Sequence, residues 1–241
     1  MVLKYFRTSS LGSGWGCAEK SKNIFFDIGC LDGFGDLSFL SSQSLFKIHH
    51  ALAHGMLGCV LKKLYNISID KITIKKSKYG KPFLFPNPEN IKIGISHCQH
   101  IVAVAVSSCE IGVDVEKVEK LKSDVFCYGD FFSDDELLYI DCFLEKSEIF
   151  TVFWTRKEAL IKRFGLRICD GLKFSCFEKE TRSFMLDSAS GKKYAFSYSF
   201  SGDAVDIYRY NGMGFSKFFK TGWYICSKQT IFDLWNVWCW I

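Results

Sequence analysis

The sequence predicts a mixed α/β (α+β) fold built from two pseudo-symmetric α/β halves. Three observations carry this expectation. A long stretch of helical periodicity is followed by three closely spaced strand patterns. A second helical region, opened by a capping signal, is followed by aromatic strand patterns separated by turn residues. The two series meet at a short junction near Ser107–Cys109, which places the halves at residues 1–108 and 109–241.

In order along the chain, Val2–Phe6 reads as a short strand, Leu11–Gly16 as a glycine- and serine-rich loop, and Ile24–Ile28 as another strand. Leu45, Ile48, Leu52, Met56, Val60 and Leu64 fall three or four apart and predict a helix over Leu45–Tyr65. Lys62 and Lys63 near its end suit the negative helix terminus. Ile69–Ile74 alternates and reads as a strand, and Tyr79–Pro88 as a turn-rich loop around Gly80, Pro82 and Pro86-Asn87-Pro88. Ile91–Ile95 and Ile111–Glu116 alternate, whereas Ile101–Val106 is continuously apolar, as in a strand covered on both faces. Ser133-Asp134-Asp135-Glu136 is a capping box opening a helix to about Leu144. A longer helix over Glu148–Phe164 stops at Gly165. Short strands follow, with turns at Ser190-Gly191, Ser201-Gly202-Asp203 and Asn211-Gly212, and Trp235–Ile241 forms an apolar tail.

Composition narrows the function classes. With 48% hydrophobic and 24% charged residues among 241, the chain can bury a core and is not a disordered segment. A net charge of +5 without a dense Lys/Arg stripe argues against a nucleic-acid binder and suits an anionic small molecule or an acidic protein. Eleven cysteines, an odd number with no CxxC or zinc-type Cys/His spacing, read as free thiols of a reducing cytosol. The N-terminal MVLKYFRTSS lacks an apolar signal core, and the longest apolar run, Ile101–Val106, is too short to span a bilayer. A cytoplasmic protein is expected.

Four groups of residues could carry chemistry. Asp114 and Glu116 alternate on a strand, so both point to one face about 7 Å apart along it. Hard oxygen ligands of this kind suit Mg²⁺, and the same pattern also fits a solvated strand face. On the second long helix, Glu158 and Lys162 lie away from the apolar stripe of Ile149, Phe153, Leu160 and Phe164. They fit either a site or an ordinary i,i+4 surface pair. Lys157 falls at the stripe's edge and must snorkel or meet an anion. Ser96-His97 at a strand end can bind phosphate or play a structural part, and no nucleophile elbow surrounds it. Gly80-Lys81-Pro82 offers a point-charge phosphate contact or is simply a turn.

The order of these motifs is more telling than any one of them. Gly80-Lys81-Pro82, Ile95-Ser96-His97, Gly112-Val113-Asp114-Val115-Glu116 and Trp154-x-x-Lys157-Glu158-Ala159-x-x-Lys162 together resemble the Sfp-type 4′-phosphopantetheinyl transferases. That family shows GKP, an SHS-like turn, G-(I/V)-D-(I/V)-E and W-x-x-K-E-(A/S)-x-x-K in this order. Phe131-Phe132-Ser133-x-x-Glu136 is similar to its FFS-x-x-E segment, and the likeness runs from about Ser44 to Phe177.

The resemblance implies two α/β halves with coenzyme A and the active site at their interface. It implies Mg²⁺, with Mn²⁺ an acceptable substitute, held by Asp114, Glu116 and Glu158. Glu158, or a water it orders, would deprotonate the acceptor serine, and Lys162 would support the leaving phosphate. Ser96, His97, Lys157 and Lys162 would contact coenzyme A phosphates, with Lys81 and Pro82 near the nucleotide. His97 is placed among the catalytic groups as well. Glu136 is a possible second base, although its capping role explains it equally. The implied partner is an apo acyl or peptidyl carrier protein, and the chain is expected to be a monomer with neither nucleic acid nor membrane as partner.

Two departures stand out. The SHS turn reads Ser96-His97-Cys98, and an arginine expected near His54 is missing, which shifts nucleotide recognition toward Lys47, His49, His50 or His54. The altered patch motivates an alternative, a catalytically weak module that binds coenzyme A or a carrier protein. A Mg²⁺-dependent phosphohydrolase using the same carboxylates is a third reading.

Overall fold

The structure is a computed structural model that describes residues 24–30, 41–99, 101–187, 191–201, 205–210 and 215–217. The expected strand at Val2–Phe6, the loop at Leu11–Gly16 and the tail at Trp235–Ile241 lie outside the described residues.

Strand β1 (Ile24–Cys30) precedes helix α1 (Ser42–Tyr65). The Ser41 hydroxyl accepts from the Ser44 N–H, and Asn66, at φ 55°, ends the helix in the left-handed region. Strands β2 (Thr73–Lys76), β3 (Pro82–Phe85), β4 (Lys92–Cys98) and β5 (Ile101–Ser107) follow. Two expectations change here. Ile69–Lys71 forms a 3-10 turn, so the strand expected at Ile69–Ile74 begins only at Thr73. The expected loop at Tyr79–Pro88 contains β3, because Pro82 stands at the first strand position, where a missing N–H does little harm.

The mixed α/β expectation holds. Strand β6 (Ile111–Lys117) begins a second sheet and is followed by α2 (Asp134–Asp141), α3 (Lys146–Phe164), the short α4 (Ile168–Gly171), and strands β7 (Thr181–Asp187) and β8 (Lys193–Phe200). The last described strands are β9 (Val205–Tyr210) and β10 (Phe215–Lys217). One sheet has the order β10-β9-β1-β5-β4-β3-β2 and the other β6-β8-β7, so the halves are unequal. The division at 108/109 needs correction in the strand pairing. β9 and β10 return to the first sheet, β9 running parallel to β1 in a register set by Ile24 opposite Val205.

Alternation along β5 sorts the layers. Val102, Val104 and Val106 face α1, where they meet Leu52, Met56, Leu57 and Leu61. Ile101, Ala103 and Ala105 face the second sheet, against Val113, Val115, Phe196 and Tyr198. The second sheet's far face is covered by α3 with α2, packed around Phe153, Ile140, Val152 and Ala195. The result is helix, sheet, sheet, helix, with each fully buried aliphatic side chain contributing about 1.5–3 kcal/mol.

Candidate active site

The distance between α3 and β6 is set by Gly112. A Cβ added there would lie 1.9 Å from the Ala159 carbonyl oxygen and 2.4 Å from the Arg163 nitrogen. Only a residue without a side chain lets the helix backbone rest on the strand backbone at this point. Glu158 and Lys162 adjoin Ala159 and Arg163 in sequence, so the same contact carries them to the strand that holds Asp114.

Asp114 lies at the centre of what results and is 1% exposed. Its Oδ1 accepts from the Ser96 hydroxyl at 2.8 Å and from the Lys162 ammonium at 2.5 Å. Lys162 also reaches the Ser96 hydroxyl, at 3.2 Å. The buried Oδ2 of Asp114 has no hydrogen-bond partner. Residues from both sheets and from α3 therefore converge where β4 runs alongside β6.

The electrostatics are those of crowded carboxylates. Burial raises the Glu116 carboxyl, and the charge of Asp114 raises it further. Burial likewise raises Glu158, with Asp114 adding to the shift against the pull of Lys162. Burial works against the Lys162 ammonium, yet Asp114, Glu158 and Glu116 together lift its pKa. Three carboxylates thus share one ammonium, an arrangement that attracts further positive charge.

The resemblance implies Mg²⁺ at these carboxylates. Among the described residues no group of three or more His, Cys, Asp or Glu side chains is gathered closely enough to hold a metal ion by itself, so Asp114, Glu116 and Glu158 do not form a ready-made cage. Mg²⁺ rarely needs such a cage, since one or two carboxylates, water and substrate phosphates complete its shell. The orphaned Oδ2 of Asp114 and the mutually repelling Glu116 and Glu158 fit that open kind of site.

The other expected residues divide. Glu158, Lys162, Lys81 and Pro82 line one cavity of about 200 Å³ with Tyr79, Gly94 and Ile95. Lys81 is held there by Glu110 and by the Arg163 carbonyl, a pairing with no signal in local sequence. Burial opposes ionisation of Glu110, but Lys81 and Lys92 outweigh it and hold its carboxyl below the usual range. His97 stacks on His49 with ring centroids 4.5 Å apart. Its pKa is lowered, first by burial and then by His49 and Lys162, so the ring favours its neutral form. His54 stacks on His50 at 6.3 Å along the same face of α1, and Phe46 packs its edge against His97.

Lys157 is enclosed. Its ammonium lies 2.9 Å from Glu136 Oε2 and 2.7 Å from the Leu172 carbonyl, and its side chain is 2% exposed. The anion it meets in this structure is Glu136. Glu136 is held in turn by the N–H groups of Ser133 (2.9 Å) and Cys176 (2.6 Å) and is 1% exposed, which leaves it a capping and pairing role rather than that of a base.

A second surface opens beside the carboxylates. Glu116, Lys117, Lys120, Leu121, Lys122 and Trp154 are among the residues lining a groove of about 410 Å³. Cys98 also lines it, its thiol pushed up to about 12 by burial and by Glu116. No helix among the described residues is long and apolar enough to cross a membrane.

Residues 110–207 match the family model described as the 4′-phosphopantetheinyl transferase superfamily. The chain is 31% identical over 107 residues to 4′-phosphopantetheinyl transferase gsp of Aneurinibacillus migulanus, covering 44% of this chain and 43% of that protein. It is 33% identical over 110 residues to 4′-phosphopantetheinyl transferase ffp of Bacillus subtilis, covering 44% and 47%. With 4′-phosphopantetheinyl transferase Sfp of Bacillus subtilis (strain 168) the identity is 30% over 110 residues, with the same coverage of 44% and 47%. The chain thus spans about half the length of the curated relatives it matches. Through residues 110–207, which carry β6, α3 and the carboxylates, the chain is similar to the 4′-phosphopantetheinyl transferase superfamily and to its Sfp-type members.

Proposed function

We propose that the protein transfers the 4′-phosphopantetheine arm of coenzyme A to a serine of an apo acyl or peptidyl carrier protein, releasing 3′,5′-ADP. The observation that carries this reading is the meeting of Asp114, Ser96 and Lys162 at the seam between the sheets, with Asp114 Oδ2 left unpartnered.

Asp114, Glu116 and Glu158 would hold Mg²⁺, or Mn²⁺ in its place. When bound, the ion would neutralise charge on the diphosphate. Lys162, already drawn to the carboxylates, would donate to the leaving phosphate oxygen as negative charge builds there. Glu158, its pKa raised by burial and by Asp114, is suited to accept the serine proton, directly or through a water. The hydroxyl oxygen then bonds to the β-phosphorus as the bond to the α-phosphate oxygen breaks. Neutral His97 can donate one N–H to a phosphate oxygen, and Ser96 helps orient the same end. Lys81 and Pro82 border the cavity proposed for the nucleotide, and the imidazoles of His50 and His54 with Lys47 are the proposed 3′-phosphate side. The groove with Lys117, Lys120, Lys122 and Leu121 offers charge and apolar contact for the acidic helix of a carrier.

The test is intact-mass spectrometry of an apo carrier protein incubated with the enzyme, coenzyme A and Mg²⁺. A mass gain of one phosphopantetheinyl arm is expected, abolished by chelator and by Asp114→Ala. Absence of any gain on acyl and peptidyl carriers alike, with the enzyme folded, would overturn the transferase reading.

A further inference from the structure

Strand β4 turns Ile93 and Ile95 toward α1, and His97 continues that face at the end of the strand, opposite Val102. Two side chains of α1, three residues apart and so on one face of the helix, receive it. The His49 ring stacks on His97 with centroids 4.5 Å apart and planes at 27°, and the Phe46 ring meets it edge-on at 6.1 Å and 78°. The two histidines are unlike in burial. His97 is exposed, whereas His49 is 3% exposed. His49 Nε2 lies 2.5 Å from the backbone carbonyl of Gln99, in the turn that joins β4 to β5. A carbonyl can only accept, so this nitrogen carries a proton, and the bond fixes both the tautomer and the plane of the ring. Gln99 holds φ 46°, in the left-handed region, and the tight turn this makes aims its carbonyl back at α1.

We propose that His49 is a positioning residue, which holds the His97 ring ready for a phosphate oxygen of coenzyme A. The role rests on the proposed reading of His97 as a donor to that phosphate. An exposed imidazole rotates about two side-chain bonds, and ordering it on binding weakens affinity. Stacked on His49 and bordered by Phe46, the His97 ring is ordered before the ligand arrives. An aliphatic residue could fill the space under His97, but it would offer neither a flat ring nor a donor for the Gln99 carbonyl. A buried imidazole is costly unless hydrogen-bonded, and here the bond that satisfies it also sets its plane. The sequence offered His49 as one of four groups for the 3′-phosphate, with Lys47, His50 and His54. The structure places it beneath the surface a phosphate reaches, and leaves His50 exposed and His54 half-buried on the helix for that part.

The experiment is isothermal titration of the protein with coenzyme A in Mg²⁺, with no carrier present, alongside thermal melts. His97→Ala should weaken binding about tenfold, the effect of losing one hydrogen bond to a charged oxygen. His49→Ala should weaken it about three- to tenfold, because the ligand must then order the His97 ring. The double variant should bind no more weakly than His97→Ala, since His49 acts only through that ring. Two further variants separate positioning from stability. His49→Phe keeps a flat ring under His97, held by packing, and loses the bond to Gln99, so it should melt lower yet retain most of the affinity. His49→Gln keeps a donor and loses the ring, so it should melt closer to wild type yet bind as weakly as His49→Ala. Affinities that follow melting temperature across the three His49 variants, or two losses that multiply in the double variant, would overturn the role. If His97→Ala is weakened while His49→Ala binds as wild type does, only the positioning role falls. If His97→Ala also binds normally, or the wild type binds no coenzyme A, the phosphate reading fails and the inference with it.

Discussion

Helix α3 carries two lysines five residues apart, and each meets a buried carboxylate under opposite conditions. Lys157 and Glu136 are both closed off, at 2% and 1% side-chain exposure, and each has further partners in backbone groups. Lys162 is 36% exposed and its partner Asp114 keeps an unpartnered Oδ2, with two more carboxylates near by. The same pair of charges therefore builds a fastening on one side of the helix and a site on the other. What separates them is satisfaction, since the fastening has no binding capacity left, whereas the site has acceptors without donors.

The sharpest way to break this contrast is to remove each lysine. Lys157→Met should destabilise the protein by about 3–5 kcal/mol in urea unfolding, because Glu136 is left buried without its counter-ion. The turnover of the molecules that remain folded should change little. Lys162→Ala should lower the rate of carrier modification by about 10²–10³-fold while costing less stability than Lys157→Met, because the partly exposed Lys162 leaves Asp114 with the Ser96 hydroxyl and access to water. Equal losses of stability in the two variants would remove the distinction. Gly112→Ala should push α3 off β6, costing about 1–3 kcal/mol and lowering activity beyond the loss of folded protein, read by unfolding and by rate per folded molecule.

The smallest expected effect is one of pH. The raised values of Glu116 and Glu158 mean that the metal-free folded state binds more protons than the unfolded chain. Their contribution to stability therefore falls as pH rises from the ordinary glutamate range through the raised values. Mg²⁺ would favour the ionised forms, so its stabilisation should grow over that same interval. A larger gain in melting temperature from Mg²⁺ at pH 8 than at pH 5, by differential scanning fluorimetry, is the expected result. An equal gain at both would count against a cation shared by these carboxylates.

Much of this was legible in the sequence because the signals are local. The alternation of Asp114 and Glu116 with valines placed both carboxylates on one strand face, and the Ser133–Glu136 box and Gly165 set two helix ends where they occur. The partner of Lys157 was not legible. Periodicity located it at the edge of the apolar stripe and required an anion, but Glu136 lies on another helix and only packing joins them. Lys81 and Glu110 are likewise brought together from separate loops. Cys98 registered only as a missing hydroxyl, because its bond to the Lys117 N–H depends on how two sheets lie side by side. The strand Pro82–Phe85 was hidden by its own proline, and the return of β9 leaves no trace within the strand itself.

That return has a consequence for biosynthesis. In the seven-stranded sheet, β1 is flanked by β5 on one side and β9 on the other, so the first sheet waits for residues made nearly two hundred positions later. As the nascent chain leaves the ribosome, β1 can pair with β5 but still offers an open backbone edge until Val205–Tyr210 emerges. Among the described residues only β9 covers that side of β1, so a fragment ending at residue 108 would lack its described partner there, inviting pairing between chains.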